Sequence, residues 1–252
     1  MKVHISDRES WSDINDLPAS KFLKSLKENV YIIRNYLSHK QTQEIRSICQ
    51  KVAKNQEACW HPCLDGVPDY HRLHNNYAKA HVKSVQHGFY FHPWNKGLLD
   101  FLKFREIFEF KLKMGGLKTS EFLKLYGNIP SDGTILRLVA HQYPQGGGGQ
   151  QKHIDPVSNY ARVQTLIMLS QRGDDYQNGG LYIEHPSLGK IELDPLSKCG
   201  DLILLSPDIV HGVDSVDQQI SLDWNLTTGR WILLPIMLDS DHVSTRNLPK
   251  EL

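Results

Sequence analysis

His153 and Asp155 stand two residues apart in Gln151-Lys152-His153-Ile154-Asp155, and His211 follows in Pro207-Asp208-Ile209-Val210-His211-Gly212-Val213. Two imidazoles and one carboxylate make up the facial set that holds Fe(II) through three protein ligands and leaves positions on the metal open for reaction. The two-residue spacing suits a strand, where alternate side chains leave the same face and Ile154 points to the opposite layer. An H-x-D pair also recurs by chance, so its setting carries the weight.

That setting is a series of strand-like segments. The run Thr134-Ile135-Leu136-Arg137-Leu138-Val139-Ala140-His141-Gln142-Tyr143 opens it, and the glycine-rich stretch Gln145 to Gln150 leads into the ligand pair. Val163 to Leu169 and Gly179-Gly180-Leu181-Tyr182-Ile183 come next, and Gly200-Asp201-Leu202-Ile203-Leu204-Leu205 reads as a buried strand that delivers the chain to His211. Thr228-Gly229-Arg230-Trp231-Ile232-Leu233-Leu234 closes the series. From Ile135 to Met237 this order of parts resembles the double-stranded β-helix core of the Fe(II)/2-oxoglutarate-dependent dioxygenases.

The resemblance implies an α+β chain, with a double-stranded β-helix (jelly-roll) core and N-terminal helices packed on its outside. It further implies Fe(II) on His153, Asp155 and His211, with 2-oxoglutarate as co-substrate and dioxygen as partner. Succinate and carbon dioxide would be released as a substrate C–H bond is hydroxylated. Related halogenases replace the carboxylate ligand with a small residue, so the retained Asp155 points to oxygenation; desaturation and ring closure would use the same ligands.

The far carboxylate of 2-oxoglutarate calls for a guanidinium able to make two charge-assisted hydrogen bonds. Arg230, in its Thr228-Gly229-Arg230-Trp231 setting, is the first candidate, with Thr228 beside it. It lies 19 positions after His211, a longer connection than the family usually has. The additional segment, Asp214 to Thr227, reads either as a lid bringing Trp224 or Asn225 to the pocket or as a solvent-facing hairpin. Alternation in 134–143 puts Arg137, Val139, His141 and Tyr143 on one face, so Arg137 and Tyr143 are candidates to meet 2-oxoglutarate or substrate. His141 reads as a hydrogen-bonded strand histidine. Arg137 and Arg162 are the alternative anchors, and Arg162 and Gln164 are either neighbours of the ligands or surface groups. Asn178-Gly179-Gly180 reads as a tight turn that suits glycine.

The N-terminal half reads as support. Asn29 to Arg34 is a short strand, Lys21 to Lys27 a short helix, and Ser38-His39-Lys40-Gln41 a capping box opening a helix with Ile45, Ile48, Cys49 and Val52 on one stripe. Gly97 to Lys113, with Leu98, Phe101, Leu102, Phe108 and Leu112 in its stripe, and Ser120 to Tyr126 are two more helices. Glu57 to Asn95 reads as ordered loops rich in His, Tyr, Trp and Pro. Tyr70, His71, Arg72, Asn75, Tyr77 and the run His87 to Trp94, Tyr90 included, are candidate pocket walls there. The division expected is one dioxygenase domain over 1–252, with an N-terminal layer at 1–133, the core at 134–238 and a tail at 239–252.

Over 252 residues, 29 Lys and Arg against 28 Asp and Glu give a net charge of +1, without a basic tract for nucleic acid or an anionic membrane. No apolar run approaches the roughly 20 residues of a membrane span, and the first residues lack a signal-peptide core. The chain therefore reads as a cytoplasmic enzyme with no nucleic-acid or membrane partner. Four cysteines do not form a disulfide framework at this length, and Cys59-Trp60-His61-Pro62-Cys63 lacks the second ligand pair of a zinc site. A small-molecule substrate, an amino acid or specialised metabolite, is expected. The alternatives are a peptidyl or protein hydroxylase and a non-enzymatic cupin-like binding module.

Overall fold

A computed structural model describes residues 1–55, 70–78, 80–225, 227–246 and 249–252. The chain opens with β1 (Lys2–Ser6), α1 (Ser10–Asp16), α2 (Ala19–Leu26), β2 (Asn29–Ile33) and α3 (His39–Asn55). The hairpin β3 (His71–Asn75) and β4 (Ser84–Phe91) follows, then α4 (Arg105–Met114) and α5 (Glu121–Gly127). The core is β5 (Thr134–Tyr143), β6 (Gly148–Ile154), β7 (Gln164–Met168), β8 (Gly180–His185), β9 (Gly189–Glu192), β10 (Leu202–Leu205), β11 (His211–Val216) and β12 (Arg230–Asp239), with β13 (Lys250–Glu251) last.

Pairing order reveals two four-stranded halves, β10-β7-β12-β5 and β6-β11-β8-β9, joined through β4. All strands of the first half pair antiparallel, β12 with β5 along its whole length from Arg230↔Tyr143 to Asp239↔Thr134. In the second half β6 pairs with β11, and His153 lies opposite His211. Inward side chains of both halves line one cavity, so the halves face each other as a double-stranded β-helix. The α+β architecture expected from the sequence is the one observed.

Period-two alternation sorts the side chains. Ile203, Leu205, Leu166, Met168, Ile232 and Tyr143 turn inward with Leu181, Ile183 and Val213. Leu202, Leu204, Ile167, Trp231, Leu233, Leu136, Leu138 and Ala140 turn outward. The outward set is covered by Phe22 and Leu26 of α2, Cys49 of α3 and Phe108, Phe110 and Leu112 of α4. At the head of α3 the capping box forms, with the Ser38 backbone donating to Gln41 and the Gln41 backbone to the Ser38 hydroxyl.

Three readings of the N-terminal half change. The described part of Glu57 to Asn95 holds the hairpin β3–β4, and the core sheet starts with β4, which pairs with both β5 and β6, ahead of Thr134. Because β4 is buried along nearly its whole length and mixes ring and polar side chains on its two faces (His87, Phe89 and Phe91 against Gln86, Gly88 and Tyr90), it shows no apolar–polar period. The helix expected from Gly97 starts at Arg105, after a tight helical turn at Phe101–Phe104 whose cap is Asp100; Leu102 points to solvent there. Strands β1, β9 and β13 and helix α1, too short to show a period, are further additions along the chain. Cys59 and Cys63 lie outside the described residues.

Candidate metal centre and its cavity

His153 and His211 come from paired strands and Asp155 from the residue after β6, and the fold brings all three together. One ligand atom from each lies within 4.8 Å of the others. His153 Nε2 is 3.7 Å from Asp155 Oδ1, and His211 Nε2 is 3.3 Å from Asp155 Oδ2. Both histidines are fixed from behind in the same way: Nδ1 of His153 donates to the Gln151 carbonyl at 2.8 Å, and Nδ1 of His211 to the Ile209 carbonyl at 2.8 Å. Those two bonds select the tautomer that leaves both Nε2 lone pairs for a metal. Asp155 is oriented in turn by the Gln164 amide, which donates to Oδ2 at 2.7 Å. Partners of this outer kind are worth about 10–100-fold in metal affinity. Gln164→Leu is therefore expected to weaken Mn(II) binding by about 10–100-fold, read by calorimetry, while the fold is kept.

Electrostatics show what a metal would displace. Burial disfavours a charged His211, but the hydrogen bond and charge of Asp155 override it and hold the imidazole above its ordinary value. Burial alone would raise Asp155; the His211 bond, the two imidazoles and Lys111 hold it below. His153 is lowered by burial and by His211. A metal taken up by Nε2 of His211 must displace the proton that Asp155 favours there. Mn(II) affinity is expected to rise by about tenfold per pH unit below the raised His211 value and to flatten above it. Asp155, held below the usual carboxylate range, adds no slope there, and His153, lowered by burial and by His211, gives up its proton before His211 does. Titrations between about pH 6 and 8 check this; a flat profile throughout would remove His211 from the ligand set.

The three ligands sit on the wall of a cavity of about 390 Å³. Apolar groups line it from both halves: Val139, Leu166, Leu181, Leu205, Val213, Ile232 and Leu234. Arg230 reaches it from the head of β12, fully buried. Its Nε and Nη2 donate to Asp194 at 2.5 and 3.0 Å, and the Tyr176 hydroxyl donates to the same carboxylate at 2.5 Å. Nη1 of Arg230 is buried and has no partner among the described residues. The guanidinium lies 5.4 Å from the Tyr143 ring centroid, and the Tyr143 hydroxyl donates to Gln150 at 3.1 Å. The pair also explains Gly180, whose φ is +115°: a Cβ there would lie 2.1 Å from Asp194 Oδ2.

The other inward positions of β5 behave as their face demands. His141 lines the cavity with Nδ1 3.3 Å from the Tyr143 hydroxyl, and burial, with His74 and Arg230 adding to it, pulls it down to about 3. It is neutral and hydrogen-bonded, as a strand histidine. Lys111 enters from α4, fully buried, with Nζ donating to the Val163 carbonyl at 2.9 Å; burial lowers it to about 8 against the pull of Asp155. Tyr90 lines the same cavity from β4.

Several candidates stand apart. Thr228 is exposed and contributes only its carbonyl, which accepts from Gln142. Arg162 is exposed, Tyr70 packs with the outer cluster and accepts from Asn95, and Arg72 lies over the ring of Tyr90, 4.7 Å from its centroid. None of these four lines the cavity. The lid reading of Asp214 to Thr227 is corrected. Asp214 to Val216 belong to β11, and buried Asp217 pins the next turn by accepting from the Gln177 and Asn178 backbones and from Gln145. Trp224 leans edge-on against His87, 5.1 Å between centroids, on the outward face of β4, and Asn225 is exposed and bonded to Asp223. Residues that sequence reasoning missed include Asp194, Tyr176, Gln150 and Lys111. Only Lys111 left a signal, as a lysine beside Phe108 and Leu112 on an apolar helix face.

No protein-family model and no curated protein matches the chain in sequence. Solved structures match it in fold. A prolyl-4-hydroxylase from Pseudomonas putida superposes with a TM-score of 0.51 at 11% identity, covering 88% of this chain and 98% of its own. A prolyl hydroxylase from Trichoplax adhaerens, in complex with a hypoxia inducible factor oxygen degradation domain peptide fragment, gives 0.51 at 14% identity, with 93% of each chain covered. A Shewanella oneidensis protein proposed to be an oxygenase gives 0.52 at 15%, covering 95% of this chain and 90% of its own. The likeness is one of fold.

Proposed function

We propose that the chain is an Fe(II)- and 2-oxoglutarate-dependent dioxygenase that hydroxylates a C–H bond of a small molecule. One observation carries the reading: a buried, three-ligand metal set and a buried guanidinium with an unpartnered nitrogen face the same apolar cavity. His153, Asp155 and His211 would hold the iron, and Arg230 Nη1, beside Tyr143, would take the far carboxylate of 2-oxoglutarate. Bound iron, with 2-oxoglutarate and dioxygen, supplies the oxidising power, and succinate and carbon dioxide leave.

The protein's part is placement and exclusion. Carbonyl bonds from Gln151 and Ile209 keep both imidazoles turned to the metal, Gln164 keeps the Asp155 oxygens in place, and the aliphatic lining keeps water out. Asp194 and Tyr176 aim Arg230 and leave one nitrogen for the co-substrate. Tyr90 of β4 and Lys111 of α4 wall the same cavity as the strands after Thr134, which supports one working domain over 1–252.

A cavity of about 390 Å³ lies in the range of small-ligand sites, which supports a metabolite over a chain segment. The peptidyl reading draws on the two prolyl hydroxylases among the fold neighbours. No helix among the described residues is long and apolar enough to cross a membrane, and a cytoplasmic enzyme remains our reading. The test is aerobic incubation with Fe(II), 2-oxoglutarate and a metabolite extract, followed by mass spectrometry. Succinate, matched by one metabolite gaining an oxygen atom, is expected. Oxygen gained by peptides alone would favour the peptidyl reading, and no succinate under any condition would favour a non-enzymatic binding module.

A further inference from the structure

Arg137 is the fourth residue of β5 and the one cavity-lining guanidinium among the described residues that no carboxylate neutralises. It is 7% exposed. Its Nε donates to His92 Nε2 at 2.9 Å, and its guanidinium carbon lies 5.2 Å from the Tyr90 ring centroid. Among the described residues, Nη2 is buried with no partner and Nη1 forms no hydrogen bond. His92 is held by stacking on Trp94, with centroids 4.3 Å apart and planes 7° apart. The bond uses a lone pair of His92, so that imidazole is neutral; burial first and Arg137 second keep it so.

The contrast with Arg230 gives the feature its meaning. Asp194 neutralises Arg230 and occupies two of its nitrogens, whereas Arg137 keeps a whole positive charge and the Nη1–Nη2 edge. A buried cation without a counter-charge is costly unless something else completes it. Of the charges that line the cavity at that end, Asp239 accepts from Thr134 and Arg246 pairs with Asp241; Arg72, a further cation near His92, lies over Tyr90 and does not line the cavity. Nor does Arg137 serve the co-substrate end. Arg230 pairs with Tyr143 across the sheet, and Arg137 pairs with Ile236, six residues further along, about 20 Å of extended strand. Tyr143 and His141 feel both Arg230 and Asp155, while Arg137 acts on His92.

We propose that Arg137 anchors the carboxylate of the organic substrate, and hence that the substrate is a small carboxylic acid whose acid group lies at the end of the cavity away from Arg230. A guanidinium edge with two parallel N–H donors fits the two oxygens of a carboxylate and has nothing equivalent to offer an amide. Substrate specificity then rests on one residue of β5 and on the His92–Trp94 pair that steers it. This deepens the dioxygenase reading and rests on it for the word substrate, though not for the site.

The test uses the full chain loaded with Mn(II) and 2-oxoglutarate, titrated calorimetrically with butyrate and benzoate and with butyramide and benzamide. The acids are expected to bind about tenfold or more tightly than their amides. Arg137→Met should erase that difference and Arg137→Lys keep part of it, with Mn(II) and 2-oxoglutarate affinities unchanged in both. Amides binding as well as acids, acids that do not bind, or acid binding that survives Arg137→Met would each overturn the assignment. So would loss of 2-oxoglutarate affinity in Arg137→Met, which would make Arg137 the co-substrate anchor. Should Met prove unstable, the parent's acid–amide comparison and the Lys variant still decide. If Mn(II) and 2-oxoglutarate fail to bind the parent, the dioxygenase reading falls, and the same titrations on the metal-free chain still judge Arg137.

Discussion

Alanine at His153, Asp155 or His211 is expected to abolish 2-oxoglutarate turnover and to lower Mn(II) affinity by more than about 100-fold. Loss of an outer partner already costs about 10–100-fold, and each substitution here removes a ligand itself. The fold should persist, because the apolar clusters on the two sides of the first half of the sheet contain none of the three. A cooperative melt in each variant together with lost metal binding, followed by calorimetry and succinate assay, is the expected pattern. Full turnover in Asp155→Ala and His211→Ala would end the triad account.

Arg230→Met should be costly in two separable ways. Its side chain is 0% and that of Asp194 1% exposed, and breaking such a buried pair costs about 3–5 kcal/mol because the remaining charge is stranded. The variant is thus expected to lose that much stability, measured by urea unfolding. Arg230→Met combined with Asp194→Asn should recover most of it, since no charge is left alone and the new side-chain amide oxygen still accepts from Tyr176. Affinity for 2-oxoglutarate should stay low in both, by on the order of 2–5 kcal/mol, as when a partner is cut from a buried charged bond. Restored co-substrate affinity in the double variant would move the anchor away from Arg230.

The strands of the core were legible from two plain patterns, an aliphatic run buried on both faces for β10 and faces of different character for β5, with glycines at the turns. The same alternation showed which face of β5 meets the cavity, and with it His141 and Tyr143. The hairpin β3–β4 escaped because both of its faces mix ring and polar side chains, so no hydropathy period of two appears. Asp194 escaped for another reason. It sits in a tight Pro-containing turn after β9, where neither period applies, and only the folded sheet places it on Arg230. The length of 214–227 was legible and its use was not. A long connection suits a lid or a solvent-facing hairpin equally, and the fold instead gives 214–216 to β11, pins the next turn through Asp217 and sets Trp224 against His87.

The central claim is that one cavity joins an open metal centre to a co-substrate anchor, and binding of 2-oxoglutarate under argon tests it most directly. Calorimetry on the parent chain with and without Mn(II) should show 2-oxoglutarate binding that depends on the metal, because the keto acid then gains ligation as well as Arg230. His211→Ala should abolish the metal-dependent part and Arg230→Met weaken what remains. Equal 2-oxoglutarate affinity with and without Mn(II), or no binding in either state, would contradict the account.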